Sequence, residues 1–237
     1  MTETIEPLTP RRPRTRRPEW LAPAGLIALS LVPILAGSVR LSQLTTGATV
    51  TAENARFFDS PVPVIVHIVS SSVFLVLGAL QFAPSLRRRR WHRISGRIVA
   101  PAGVLSALSA LWMTLFYSMP ATYGPVLFVM RVVLAIAMVA AIVYAVLAIR
   151  RGDVRTHSAW MTRAYAIGLG AGTQVFVFLP WTLLLGAPDQ LSYSVLMGAG
   201  WAINLIVAEI VIRRRSRLSS PRTRTFGRSA AAPAPLS

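Results

Sequence analysis

The sequence predicts an all-α integral membrane protein, a bundle of six transmembrane helices with the N- and C-termini in the cytoplasm. Three observations lead to this prediction. Only 14% of the 237 residues are charged and 54% are hydrophobic, whereas about a quarter of the residues in soluble domains are charged. Six apolar stretches reach the roughly 20 residues that a helix needs to cross a bilayer. The arginines concentrate in the segments that six crossings place on one side.

Each predicted span is an apolar stretch with few or no charges. The fourth is the clearest, because the stretch from Val132 to Ile149 has no charged residue. The six spans run from Leu21 to Val39, Val62 to Ala83, Ile98 to Met119, Val126 to Ile149, Met161 to Leu185 and Ser194 to Ile212. Proline distorts helices, so Pro33, Pro101 and Pro180 are expected to kink three of these spans.

The segments outside the spans are short or basic. Residues 1–18 and 217–237 are rich in Arg, Pro, Ser and Ala, a composition that predicts disordered cytoplasmic tails. Between the tails lies a six-helix transmembrane domain at 19–216. The 22 residues from Arg40 to Pro61 form the only sizeable external loop.

The first span has a second interpretation. A basic region followed by an apolar run is also typical of a signal peptide. Ala36-Gly37-Ser38 offers small residues for cleavage, and Arg11-Arg12 is a twin-arginine pair. The apolar run is longer than the roughly 7–15 residues of a signal core, which favours an uncleaved helix.

The net charge of +17 indicates orientation rather than nucleic-acid binding. All 25 basic residues are arginine, and 22 of them lie in the two tails and in the second-to-third and fourth-to-fifth connections. Because short cytoplasmic loops are enriched in basic residues, these segments are predicted to be cytoplasmic, with the chain in a bacterial inner membrane. The lipid bilayer, and anionic lipid at its cytoplasmic face, are the expected partners, at about 1 kcal/mol per nearby basic residue. No nucleic-acid partner is expected.

The scarcity of reactive side chains narrows the chemistry. With no cysteine in the chain, disulfides, Cys-ligated zinc and iron–sulfur clusters are excluded. The sequence also has no His-Glu-x-x-His motif and no phosphate-binding loop, which disfavours a metalloprotease and a Walker-type enzyme. A protein without enzyme activity is therefore favoured, and a membrane oxidoreductase is the class expected if the protein is an enzyme.

Ionisable residues inside a membrane are costly and are therefore candidate functional groups. His67 in the second span and Arg131 in the fourth lie at similar outer depth, and with Asp59 they form a candidate outer pocket. The alternatives are a His67 hydrogen bond to a neighbouring helix, and an Arg131 that pairs with Asp59 or Asp189 or extends to the interface.

Polar and small residues in the last two spans predict helix packing. Glu209, the candidate polar group near the inner face, precedes Arg213 by four residues, which predicts an ion pair on one helix face. Asn204 and Gln174 are expected to join helices through hydrogen bonds. Five glycines are expected to allow close helix contact, namely Gly168, Gly170, Gly172, Gly198 and Gly200.

Two of the three histidines stand in the arginine-rich connections. His92 precedes Gly96 by one turn, and His157 precedes Trp160 and Met161 by one turn. Both histidines are therefore predicted at similar depth on the cytoplasmic side of the membrane.

These motifs resemble a known family. The motifs are His67, Leu77-Gly78-Ala79-Leu80-Gln81-Phe82, His92-Arg93 with Gly96-Arg97, and Arg151-Gly152-Asp153 with His157, Trp160-Met161 and Arg163. In this order they resemble the bacterial predicted-membrane-protein family called domain of unknown function 2306. The resemblance covers His67 to Tyr165 directly and the other spans by layout, and Ala164 departs from the serine expected there. It implies a multi-span membrane protein and no established reaction.

The specific hypothesis preferred from the residues is a one-haem, cytochrome-b-like electron-transfer protein. Imidazoles from two membrane helices commonly ligate b-type haem, and arginines often meet its propionates. His92 and His157 would then bind the iron, with Arg93, Arg97 and Arg163 near the propionates. Electrons would pass to or from a quinone or a membrane redox partner. The alternative for both histidines is an interfacial role, hydrogen-bonded to helix ends or lipid phosphate.

Two further classes of function stay open. One is a small-molecule transporter or binding protein that uses the outer pocket. The other is a non-catalytic accessory membrane protein. The two halves of the chain show no convincing repeat, although transporters often contain one.

Overall fold

The computed structural model describes residues 20–87 and 90–218, and every regular element in these residues is helical. The predicted tails, residues 1–18 and nearly all of 217–237, lie outside the described residues. The helices are α1 (Leu21–Thr46), α2 (Ala55–Asp59), α3 (Pro61–Leu80), α4 (Pro84–Arg87), α5 (Arg90–Phe116), α6 (Gly124–Arg150), α7 (Val154–Gly168), α8 (Gly170–Leu185) and α9 (Gln190–Leu218), with a 3₁₀ turn at Ala121–Tyr123. The all-α prediction is confirmed.

Five helices, α1, α3, α5, α6 and α9, are long and apolar enough to cross a membrane. α7 and α8, which meet at Leu169 with a bend of 44°, make a sixth crossing when the pair is counted as one span. Large apolar side chains are exposed on the outside of the bundle, such as Leu184 at 82% exposure. An apolar periphery of this kind suits hydrocarbon and not water. The prediction of a multi-span membrane bundle is therefore confirmed, with five or six crossings.

The external loop differs from the prediction. α1 continues past Arg40, and α2 occupies part of the connection, so the segment contains two helical stretches. The predicted span stopped before Arg40 because this residue is charged, but α1 includes Arg40 and continues to Thr46. Arg40 Nη1 donates a hydrogen bond to Gln43 Oε1 at 2.7 Å, and its guanidinium lies 4.4 Å from the ring centroid of Phe57.

The structure contains one helix break that the sequence did not predict. Pro33, Pro101 and Pro180 each lie inside a continuous helix, α1, α5 and α8 respectively. The break lies at Leu169 in the fifth apolar stretch, between Gly168 and Gly170. The residues on both sides of Leu169 are apolar or small, so the hydropathy pattern did not predict the break.

Consecutive spans pack side by side from α1 through α3, α5 and α6 to α7. α8 and α9 complete the bundle, because α8 packs between α9 and α1, and α9 also contacts α6 and α7. α7 additionally touches α3, which places it towards the centre of the bundle. The part of α7 next to the break, from Thr162 to Ile167, is therefore mostly buried among other helices.

Small residues allow the central helices to approach closely. Phe74 of α3 is 1% exposed and lies against two glycines. A Cβ atom on Gly103 would lie 2.6 Å from Phe74 Cε2, and one on Gly168 would lie 2.8 Å from Phe74 Cε1. A Cβ on Gly170 would likewise meet the indole of Trp201. Because small residues let helix backbones approach in a membrane, these contacts confirm the predicted packing role of the glycines.

α9 is hydrogen-bonded to both halves of the broken span. Asn204 Nδ2 donates to the carbonyl oxygen of Ala166 in α7 at 3.2 Å, and Asn204 Oδ1 accepts from Thr173 Oγ1 in α8 at 2.7 Å. Gln174 Nε2 donates to the carbonyl oxygen of Met197 at 3.1 Å. The prediction that Asn204 and Gln174 join helices is confirmed.

The bundle has two ends, which we name by the chain segments they contain. The terminal face holds the start of α1, the end of α9 and the connections from α3 to α5 and from α6 to α7. The opposite face holds the α1–α3 connection and the 3₁₀ turn. There, Tyr117 donates to the carbonyl oxygen of Ser60 at 2.6 Å, and Gln190 Nε2 donates to that of Ala121 at 2.7 Å.

Two glycines of α5 give a matched test of the packing. Gly103→Ala should lower the free energy of unfolding by about 1–3 kcal/mol, because the added Cβ overlaps Phe74 and Ile142. Gly96→Ala, with no atom within 4 Å of its Cβ position, should be neutral or stabilise by up to about 1 kcal/mol through helix propensity. Thermal unfolding in detergent, followed by circular dichroism, measures both. Equal effects of the two substitutions would contradict the packing described here.

Candidate functional site

The terminal half of the bundle contains an ion pair between α7 and α9. Arg163 Nε donates to Glu209 Oε1 at 2.6 Å, and Arg163 Nη2 donates to Glu209 Oε2 at 3.2 Å. The Arg163 guanidinium also lies 4.7 Å from the ring centroid of Trp160. It is the only ion pair in residues 20–87 and 90–218. The planar guanidinium thus binds both oxygens of the carboxylate, which is the strong geometry for such pairs.

The predicted local partner of Glu209 is wrong. Arg213 lies four residues along the same helix, but the ion pair of Glu209 is with Arg163 of α7. The i, i+4 rule considers one helix alone, and here a neighbouring helix presents an arginine in a better geometry.

His157 lies in the first turn of α7 and faces α6. Its Nδ1 is 3.0 Å from the carbonyl oxygen of Ala145. Since a carbonyl oxygen only accepts, Nδ1 carries the proton in this bond, and in the neutral imidazole Nε2 has the lone pair. Asp153 caps the same helix by accepting from the backbone N–H of Thr156 at 2.9 Å. Hydrogen bonds from the side chain and backbone of Thr156 hold the pKa of Asp153 below its usual value.

His92 lies in the first turn of α5 and is half-buried. Beside it, Gln81 Nε2 donates to Ser95 Oγ at 2.6 Å, which ties α5 to the end of α3. Arg93 and Arg97 are exposed on the surface of α5. Both His92 and His157 therefore begin helices at the terminal face, although His157 is turned towards α6. Within the described part of the chain, no group of three or more His, Asp or Glu side chains is arranged to hold a metal ion.

Arg131 lines a cavity at the opposite face. The cavity has a volume of about 370 Å³, and its lining includes Thr114, Met119, Pro120, Tyr123, Phe128 and Arg131. Arg131 lies about two turns into α6. Its Nη1 is 3.9 Å from Met119 Sδ, and the guanidinium lies 5.4 Å from the ring centroid of Tyr123. Tyr123 in turn stacks on Tyr193 of α9, with centroids 5.3 Å apart.

The alternatives that pair Arg131 with an acidic residue are wrong for the described residues, since neither Asp59 nor Asp189 forms an ion pair with it. Asp59 is exposed at the end of α2. Asp189 accepts from the backbone N–H of Ser192 at 2.7 Å, at the start of α9. Hydrogen bonds from the side chain and backbone of Ser192 lower the pKa of Asp189.

His67 has a partner on the neighbouring helix. Its Nδ1 lies 3.0 Å from the carbonyl oxygen of Ser106 and 3.3 Å from Ser109 Oγ, both in α5. Of the three residues in the predicted outer pocket, however, only Arg131 lines the cavity.

The sequence interpretation missed the aromatic and sulfur groups around Arg131. Met119, Tyr123 and Tyr193 stand in connections or at helix starts, where a tyrosine is usually assigned to the membrane interface. Two tyrosines close to predicted span ends at the same face were an available signal. Their convergence on one arginine depends on the packing of α9 beside α6.

The ion pair between α7 and α9 gives a direct test. In a double-mutant cycle, Arg163→Gln and Glu209→Gln should show a coupling free energy of about 1 kcal/mol, between the values typical of exposed and of buried pairs. That range is expected because the two side chains are 27% and 35% exposed. The free energy of unfolding of each variant is measured in detergent. A second cycle, with Arg213→Gln and Glu209→Gln, is the control. Equal coupling in both cycles would contradict the assigned pair.

A family model described as "Predicted membrane protein (DUF2306)" matches residues 64–212. The match begins in α3 and ends in α9, and it covers more than half of the chain. Both the Arg131 cavity and the pair of Arg163 and Glu209 lie within it. No curated protein and no solved structure matches the chain.

Proposed function

This chain belongs to the DUF2306 family of predicted membrane proteins, and we propose that it binds, and carries across the membrane, a small amphiphilic anion that Arg131 recognises at the opposite face. The observation that carries the proposal is the position of this arginine. It lines a cavity of about 370 Å³ and forms no ion pair with any carboxylate among the described residues.

A cation without a counter-ion inside a span is costly. The Tyr123 ring face and the Met119 sulfur offset part of this cost, since a guanidinium is attracted to an aromatic face. Neither group supplies a negative charge. A carboxylate or phosphate group bound at the guanidinium would supply it through two parallel hydrogen bonds.

The rest of the cavity suits an apolar body on the ligand. Met119, Pro120 and Phe128 contribute apolar surface. The Thr114 hydroxyl already donates to the carbonyl oxygen of Ala110 at 2.8 Å. Phe128 is 42% exposed on the outside of the bundle, so the cavity opens towards the lipid. Ligand pockets commonly combine such an apolar wall with a few polar groups.

The broken fifth span favours transport over an inert scaffold. Discontinuous helices near the middle of the membrane recur in transporters, where they line the substrate route. Here Asn204 and Thr173 provide polar groups at the break. Tyr193 and Asn204 both belong to α9, so one helix connects the cavity with the break.

The proposed orientation places the terminal face in the cytoplasm of a bacterial cell, with the chain in the inner membrane. The arginine distribution supports it, since 22 of 25 arginines lie in the tails and in the two connections at that face. The proposed ligand then reaches Arg131 from the outer leaflet or the periplasm.

The absence of cysteine makes orientation simple to measure. Thr49→Cys at the opposite face should react with a membrane-impermeant maleimide in intact cells, because both the site and the reagent are outside. Val154→Cys at the terminal face, which is 62% exposed, should react only after lysis. The reverse labelling pattern would overturn the orientation.

Ligand binding is tested by thermal stability in neutral detergent. Decanoate and decyl phosphate should raise the melting temperature, whereas decanol should not, because it lacks the charge. A ligand at about 100 times its Kd stabilises by about 2.7 kcal/mol. Arg131→Gln should abolish the response, and Arg97→Gln, which removes an exposed arginine from the terminal face, should retain it. An equal response to decanol, or an unchanged response in Arg131→Gln, would refute the proposal.

One-haem electron transfer is the second candidate. It is favoured by His157, whose Nδ1 bond to Ala145 directs the Nε2 lone pair away from the carbonyl, as in many metal-ligating histidines. Arg163 fits a propionate role less well, because its Nε and Nη2 already bind the two carboxylate oxygens of Glu209. The absorption spectrum of protein expressed with ample haem tests whether the protein binds haem. A Soret band that is lost in both His92→Ala and His157→Ala would establish the haem, and no Soret band would reject it.

A further inference from the structure

We propose that a groove between the start of α7 and the end of α9 binds the phosphate group of an anionic membrane lipid. The groove has a volume of about 180 Å³, and its polar lining comprises Arg155, Ser158, Arg215 and Ser216. This groove lies at the terminal face, at the other end of the bundle from the Arg131 cavity. Its proposed ligand is a lipid that stays bound, whereas the proposed ligand of the Arg131 cavity is transported.

Two arginines from different helices converge on this groove. Arg155 belongs to the first turn of α7, and Arg215 belongs to the last turn of α9. A guanidinium has five N–H donors, so each of these arginines can bind a phosphate oxygen beside the partners that it already has. A phosphate has several acceptor oxygens and suits two guanidinium groups at once.

The hydroxyl groups and the apolar wall identify the class of ligand. Ser158 and Ser216 place hydroxyl groups in the same lining, and Ser216 Oγ donates to the carbonyl oxygen of Ile212 at 3.1 Å. The remaining wall includes Val154 and Ile212, which are apolar. A ligand with a phosphate head and a hydrocarbon body satisfies both parts of the groove, whereas inorganic phosphate satisfies only one.

The depth of the groove matches the headgroup region. α7 begins and α9 ends at the terminal face, so both helices enter the membrane from here. Arg163 and Glu209 join the same two helices about 9–12 Å deeper, by the helical rise of 1.5 Å per residue. A lipid phosphate bound by Arg155 and Arg215 would therefore be a second ionic link between α7 and α9, at the membrane surface.

Native mass spectrometry of the protein in neutral detergent tests this site. Phosphatidylglycerol should remain bound to the wild-type protein at a stoichiometry of one, with at least tenfold preference over phosphatidylcholine. Arg155→Gln and Arg215→Gln should each weaken that binding at least tenfold. Arg155→Lys should retain part of it, which shows that the fold tolerates substitution there.

The matched control is Arg214→Gln, which removes the same charge from the same turn of α9 but from an exposed position outside the groove. It should leave lipid binding unchanged. Loss of binding in this control equal to that in Arg215→Gln would overturn the site in favour of general charge attraction. Displacement of the lipid by millimolar inorganic phosphate would overturn the lipid assignment. The Arg131 response to decanoate is independent of either result.

Discussion

The structure depends on the polar contacts that α9 makes with both halves of the broken fifth span. Inside a bilayer, backbone polar groups that leave a helix must find partners within the protein. Asn204 binds one such group and also reaches the other half, because its Nδ2 donates to the backbone carbonyl of Ala166 in α7 while its Oδ1 accepts from the Thr173 hydroxyl in α8. Nearer the terminal face than Asn204, the ion pair of Arg163 and Glu209 joins α7 to α9 a second time. The interruption at Leu169 is thereby held in a defined geometry.

α9 also connects the two candidate sites. At the opposite face, Tyr193 of α9 stacks on Tyr123, whose ring lies under the Arg131 guanidinium. At the terminal face, Arg215 of α9 lines the groove that it shares with α7. One continuous helix therefore runs from the proposed anion cavity, past the break, to the proposed lipid groove.

Much of the fold could be predicted from the sequence, because hydropathy specifies spans and small or amide side chains specify where spans meet. Gly168, Gly170, Asn204 and Gln174 behave as predicted. The break at Leu169 could not be predicted, since the apolar run passes through it unchanged. The site was harder to predict because partners depend on which helices become neighbours. Glu209 pairs with α7 and not along its own helix, and aromatic residues gather around Arg131 from separate elements.

Hydrogen–deuterium exchange in a lipid nanodisc tests the central claim most directly. The measured quantity is the exchange rate of backbone amides in residues 166–174, compared between the wild-type protein and Asn204→Ala. Our account predicts faster exchange on both sides of Leu169 in the variant, with the amides of α3 around Phe74 unchanged. Unchanged exchange at 166–174, or faster exchange spread evenly over the bundle, would contradict the assignment of α9 as the element that holds the broken span.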